Sequence, residues 1–397
     1  MYHATLQVVG LGKSGRAAAR LALVRGASVI AIDRNENLAP LEQDLLTEKH
    51  GKLRTILGHC DRELLEDTDR VVVSPGVSIE NYGLSSLLQS GRPVMSELDF
   101  ASEVLPKSIK VLAVTGTNGK STVTTFAGQV SSLSALSQLS GVDITDPIPP
   151  YKGDKWVNMP AFQGSCQMLS HLGFKVFVGG NLGNPLSEAA IQCLTLSSVA
   201  VVEVSSYQME IPNKYFCPSV SVVLNLTPDH LERHKTMRNY ALTKCRVFSH
   251  MSNSKLAVLP DVVSYITKID MEAKVANFRV PPTGIVSQLQ LGAMKAMGMH
   301  NLQNAAVAAF SVIGLDVGID TEAIGATIET LNAPPHRMQI VHKDTQGVTW
   351  VDDSKATNVE ATYTGLMSLK EQKSVILLGG RAKVSYFLKS LCYPCFS

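Results

Sequence analysis

A chain of 397 residues, 45% hydrophobic and 18% charged, is long enough for two or three domains with sizeable cores. A formal net charge of +2 without blocks of like charge excludes a nucleic-acid footprint, and no apolar run approaches the roughly 20 residues that span a bilayer. The cysteines are scattered as in a reduced, intracellular protein, and the lone CxxC of Cys392 and Cys395, with no second pair and no βαβ context, argues against a metal or redox site.

In chain order, LQVVGLG predicts a buried strand almost at the first residue, which leaves no length for a signal or transit peptide. The helix SGRAAARLALVRG, the strand ASVIAID and the apolar strand RVVVSPGV follow. Gly10, Gly12 and Gly15 stand in G-x-G-x-x-G spacing between the first strand and helix, and Asp33 closes the next strand. Glycines let a backbone approach phosphate oxygens at the positive helix end, and the acid can bind a ribose or base. The alternatives are a tight turn that binds nothing and the NAD site of a dehydrogenase.

A second α/β block begins at KVLAVTG and continues through FKVFVGGN, VAVVEVSS and VSVVLNLT; a third begins near APPHR, with VTWVDDS and SVILLGG as strands. Strands alternating with helices predict parallel sheets, and three blocks predict three domains. The loop TGTNGKST holds Gly116, Thr117, Asn118, Gly119, Lys120, Ser121 and Thr122 between strand and helix. Backbone N–H groups there would surround a phosphate, Lys120 would supply charge and Ser121 a magnesium ligand, although the glycine spacing is shorter than usual.

Glu203 ends a buried strand beside Ser205 and Ser206, where a buried acid is costly unless it meets a cation or donors. Asp229 and His230 follow another strand end, and Lys244 lies on a helix. Singly, such a histidine is more often a cap and such a lysine solvated; together after a phosphate loop they could ring magnesium. His300, Asn301 and Asn304 open a helix, where Asn301 is either an N-cap or, with Asn304, a reader of an adenine edge.

The order TGTNGKST, GGN, EVSSYQ, TPDHLERH, GMHNLQN, PPHRM, DDSKATN and LLGG resembles the Mur ligase family over residues 6–129 and 168–383. The resemblance implies an α/β, three-domain architecture. Residues 1–103 would be a Rossmann-like domain that binds the UDP substrate, 104–333 a central ATP-binding P-loop domain, and 334–397 an incomplete Rossmann-like C-terminal domain. It also implies an ATP-dependent amide-bond ligase, a monomer, adding D-glutamate to UDP-N-acetylmuramoyl-L-alanine through an acyl phosphate, with ATP and Mg2+. The family is cytoplasmic in bacteria, and a lost plastid presequence would leave no trace.

By the same resemblance, Lys13 and Ser14 would lie near the uridine phosphates, Asp33 and Arg34 near the uracil, and Ser74, Asn181 and Ser205 around the sugar-peptide. Lys120, Ser121 and the rest of the loop would grip ATP, with Asn301, Asn304, Arg337 and Asp353 on its adenosine and phosphates. Ser121, Glu203, His230 and Lys244, the last as a carbamate, would hold magnesium. Lys355, Thr357 and Lys383 would sit near phosphate and the incoming glutamate, so that Lys120, Glu203, His230, Lys244 and Lys355 carry the chemistry.

Two departures bear on activity. Val130 to Gln167 interrupt the phosphate-loop helix with a Ser-, Pro- and Gly-rich stretch that reads as loop or disorder, a retained non-coding segment or an aberrant gene model, with a functional lid as the alternative. After Lys383, VSYFLKSLCYPCFS matches nothing in the family, so the glutamate pocket is expected to be lacking and ligation weak or absent.

Overall fold

The computed structural model describes residues 4–41, 52–58, 68–80, 82–140, 174–192, 197–251, 256–260, 274–278, 298–319 and 321–379. The chain starts with β1 (Thr5–Val9), α1 (Lys13–Val24), β2 (Ser28–Asp33), β3 (Leu53–Leu57), β4 (Arg70–Val73), α2 (Leu84–Gln89), β5 (Val94–Ser96) and α3 (Glu97–Val104). These strands form a parallel sheet in the order β3-β2-β1-β4-β5. β3, which mixes polar with apolar residues, and β5, only three residues long, do not stand out in the sequence; pairing with β2 and β4 makes them strands.

The second block runs β6 (Lys110–Thr115), α4 (Lys120–Ser140), β7 (Phe174–Gly180), α5 (Leu186–Gln192), β8 (Ser197–Glu203), β9 (Val220–Val223), α6 (Leu231–His234), α7 (Met237–Cys245), β10 (Leu256–Pro260), β11 (Lys274–Phe278), α8 (Met299–Gly314) and α9 (Thr321–Thr327). Its parallel sheet has the order β11-β10-β9-β6-β8-β7. Alternation along β6 shows why it reads as a continuous apolar run. Leu112 and Val114 join a core with Phe126 of α4 and Ala305 of α8, while Ala113 faces a second core shared with α1 and α3. Both faces of such a sheet are covered, so both parities of residue are apolar.

Two carboxylates on α3 cross to the second block. Glu97 Oε1 accepts from Ser187 N (2.7 Å) and Ser187 Oγ (2.6 Å) at the start of α5. Asp99 Oδ1 accepts from the successive amides of Lys214, Tyr215 and Phe216 at 3.1, 2.6 and 2.8 Å.

Two expectations need correction. The stretch from Val130 does not begin as a loop: α4 continues to Ser140, with Val130, Leu133 and Ala135 buried. The helix lies along α8 and α9, and Ser134 Oγ donates to Ala323 O. Burial against those helices sustains it where the sequence has no clean apolar stripe. Residues 141–167 lie outside the described residues. In the third block, β12 (Gln339–Lys343) and β13 (Thr349–Asp352) pair antiparallel ahead of α10 (Val359–Met367). SVILLGG is not a strand over its described residues, and Val375 is 92% exposed. A strand exists only where a neighbour accepts its ladder of hydrogen bonds. Among the described residues no helix is long and apolar enough to cross a membrane.

Candidate functional site

A cavity of about 500 Å³ opens at the carboxyl ends of β1, β2 and β4 and is walled opposite by residues that follow β7 and β8. Ligands of open parallel sheets bind at this edge, where connections leave in opposite directions. Lys13, Ser14, Asp33, Arg34, Ser74 and Asn181 line it, and Ser205 does not. A Cβ on Gly15 would lie 1.8 Å from Gly10 O, so glycine there lets α1 start close behind β1 with its N-terminus at the cavity. Asp33 shapes the adjoining turns: Oδ2 accepts from Leu11 N (2.6 Å) and Oδ1 from Asn35 N (2.9 Å).

Among the lining residues not singled out from the sequence, two carry polar side chains, Tyr82 and Gln208. The Arg34 guanidinium lies 4.2 Å from the ring centroid of Tyr82, a residue whose turn carries no motif. Gln208 Oε1 accepts from Ser205 N and Ser205 Oγ, which leaves its buried Nε2 without a partner. The signal for Gln208 was its place in EVSSYQ, two residues after the serine pair Ser205 and Ser206 already singled out.

The phosphate loop leads from β6 into α4. Gly116 (φ +144°) and Gly119 (φ +85°) adopt backbone conformations that side chains disfavour. A Cβ on Gly119 would also lie 2.9 Å from Asn304 Oδ1, which places Asn304 over the loop. Asn225 clamps Asn118 from both sides, its Oδ1 accepting from Asn118 N (2.8 Å) and its Nδ2 donating to Asn118 O (3.0 Å). Thr117 Oγ1 accepts from Thr227 N (3.0 Å), and Lys120 Nζ donates to Thr117 O (2.7 Å). Thr122 is buried in the first turn of α4.

Behind the loop, Lys244 is buried on α7, and its Nζ donates to Gly116 O at 2.9 Å. Burial, reinforced by the Lys120 charge, holds its pKa well below the ordinary lysine value, against the pull of Asp229 and Glu203. Glu203 is 2% exposed; its Oε1 accepts from Asn181 Nδ2 (2.8 Å) and its buried Oε2 has no partner. Asn181 therefore joins the first cavity to this acid. His230 is set apart by its hydrogen bonds. It begins α6 in a left-handed conformation (φ +54°), with Nδ1 2.9 Å from the Tyr207 hydroxyl and Nε2 3.6 Å from Asp229 Oδ2. Among the described residues no group of three His, Cys, Asp or Glu side chains is placed to hold a metal. Ser121 Oγ and the buried Glu203 Oε2 are oxygen donors of the kind that a hard cation takes.

Asn301 is buried in the first turn of α8, but the N-cap is Gly298. From the third block, Arg337 Nη2 donates to Ser121 Oγ at 3.3 Å. Burial lowers the Arg337 pKa against the pull of Glu203 and Asp353. Asp353 Oδ1 accepts from Met338 N (3.1 Å), and burial pushes its own pKa up. Lys355 and Thr357 are exposed in the segment that enters α10; Lys383 lies outside the described residues.

Residues 4–96 match the Mur ligase MurD-like, N-terminal domain, and residues 167–312 the Mur ligase middle domain. Similar relatives include the UDP-N-acetylmuramoylalanine--D-glutamate ligase of Caldanaerobacter subterraneus subsp. tengcongensis, 33% identical across 96% of this chain and 78% of the relative. That of Geotalea uraniireducens is 32% identical across 95% and 77%. Among solved structures, a murein peptide ligase from Psychrobacter arcticus 273-4 covers 93% of this chain and 76% of its own, at 17% identity and a TM-score of 0.50, a likeness of fold. With relatives this similar over nearly its whole length, matched on both sides of the phosphate-loop helix, the chain belongs to the Mur ligase family.

Proposed function

We propose that this chain is an ATP-dependent ligase that joins D-glutamate to UDP-N-acetylmuramoyl-L-alanine in peptidoglycan precursor synthesis, working through divisions near residues 103 and 333. One observation carries the reading: Asn181 lines the first cavity and bonds Glu203, which ends β8 beside β6 and the phosphate loop. Two substrates bound at these two places would meet end to end. A hydride-transferring enzyme would leave the second loop without a task.

In the first step a carboxylate oxygen of the substrate attacks the γ-phosphorus of ATP, and ADP leaves. The amine of D-glutamate then attacks the acyl carbon, gives up a proton, and phosphate leaves from the tetrahedral intermediate. Such transfers are catalysed by positioning and charge neutralisation. Lys120 neutralises the phosphates from the loop side and Arg337 from the third block. Ser121 Oγ and Glu203 Oε2 would hold Mg2+, which supplies the charge that lets a carboxylate approach a triphosphate. Burial and the Lys120 charge lower the Lys244 pKa, which favours the unprotonated amine that adds to CO2 and releases a proton; the carbamate would bring an anionic oxygen to the same cation. His230, Asn181 and Ser205 would orient the sugar-peptide, and Lys355 and Thr357 the incoming amino acid.

Lys120→Ala tests the division of labour. Calorimetry is expected to show MgATP binding weakened at least tenfold, with UDP-N-acetylmuramoyl-L-alanine binding unchanged. Equal loss of both ligands would overturn the separate roles.

A further inference from the structure

Among the described residues, the shorter of the two hydrogen bonds by which the third block touches the phosphate loop comes from Asn358. Asn358 is the N-cap of α10, with extended backbone (φ −142°, ψ 164°), and its Oδ1 accepts from Ala361 N at 2.8 Å. The other end of the same amide donates: Nδ2 reaches Asn118 Oδ1 at 2.9 Å. The cap fixes which way the amide faces, because only oxygen can receive the Ala361 N–H, and the nitrogen must then point at the loop. On the loop side the contact ends on a fixed point, since Asn225 holds both the N–H and the C=O of Asn118. The other polar link reported above, Arg337 to Ser121, is longer and comes from the segment before β12.

We propose that Asn358 is a positioning residue: its bond to Asn118 is the strut that holds α10, and with it the exposed Lys355 and Thr357, in register with the nucleotide. This rests on reading the loop as the nucleotide site. One side chain does two separable jobs, capping α10 and bracing it on the loop. Occupancy of the loop and docking of the third block are then thermodynamically linked, each favouring the other. Small displacements of a reacting group cost large factors in rate, so a residue that sets this distance governs transfer without touching the reacting atoms.

The test separates the two jobs in the full-length chain. Asn358→Ser keeps a good neutral cap but is too short to reach Asn118, and Asn118→Ala removes the strut from the other end. Amide hydrogen exchange is followed at residues 361–364, in the absence of ligand and with MgADP. Each single variant is expected to speed exchange there about fivefold, the factor for one net hydrogen bond of about 1 kcal/mol, and the double variant no further. MgADP is expected to slow exchange in the unaltered chain and to lose that effect in Asn358→Ser. Additive singles, an Asn118→Ala variant that leaves α10 unchanged, or equal MgADP protection with and without the strut would each overturn the proposal. Failure of MgADP to bind the unaltered chain would instead overturn the nucleotide reading, while the cycle without ligand still reports on the strut.

Discussion

Glu97 is fully buried, and only one of its carboxyl oxygens is engaged, by Ser187. Burial, opposed by the two Ser187 hydrogen bonds, pushes its pKa up to about 7 from 4.5. A folded pKa above the unfolded one means that the folded chain binds the extra proton. The resulting stability is present in full below about pH 4.5 and is lost as pH rises to about 7. At about 1.4 kcal/mol per pH unit the full displacement is worth roughly 3 kcal/mol. Glu97→Gln keeps an oxygen for Ser187 and cannot ionise. Its stability relative to the unaltered chain should therefore rise by roughly 2 to 3 kcal/mol between pH 5 and pH 8. Urea unfolding of both proteins at pH 5, 6, 7 and 8 measures this, and the other titrating groups cancel in the difference. A difference constant to within about 0.5 kcal/mol over that range would show that Glu97 is already ionised at pH 5 and would refute the argument.

Three further outcomes are expected. Tyr82→Ala should weaken UDP binding about tenfold by calorimetry, since it frees the Arg34 guanidinium from the ring that holds it, while MgADP affinity stays the same; unchanged UDP affinity would remove Tyr82 from the site. Ser131→Ala and Ser132→Ala should each raise stability by about 0.5 to 1 kcal/mol in urea titrations, because both hydroxyls are buried without partners on a helix; a loss of stability would mean that each hydroxyl finds an acceptor. Asp99→Ala removes the acceptor of three successive backbone amides, of which Phe216 N is buried and the other two part-buried, and should cost about 2 kcal/mol; a loss below about 0.5 kcal/mol would mean that the 214–216 turn is held by other contacts.

The two glycine loops, the apolar runs around them and the order of short polar motifs belong to the sequence alone. Each depends on neighbours in the chain: a turn needs its glycine, a doubly covered strand needs both parities apolar, and a helix start needs its first residues. That is why six of the seven residues singled out for the first site line one cavity, Ser205 standing behind Gln208 instead, and why Lys120, Ser121, Glu203 and Lys244 could be singled out as candidates without coordinates. Contacts between distant segments were not legible. Glu97 and Asp99 look like ordinary acids in the first turn of a helix, favoured there by its dipole, until Ser187 and residues 214–216 come to meet them. Gln208 and Tyr82 became candidates only when the second sheet closed the cavity and Arg34 reached the ring. Helix α4 runs past Val130 because α8 and α9 bury it, whereas residues 374–379 of SVILLGG, a strand by composition, pair with no strand among the described residues. Local chemistry writes turns and periodicity into a sequence; whether a segment is paired, buried or opposite a charge is decided by segments far away in the chain, and only the tertiary structure brings those together.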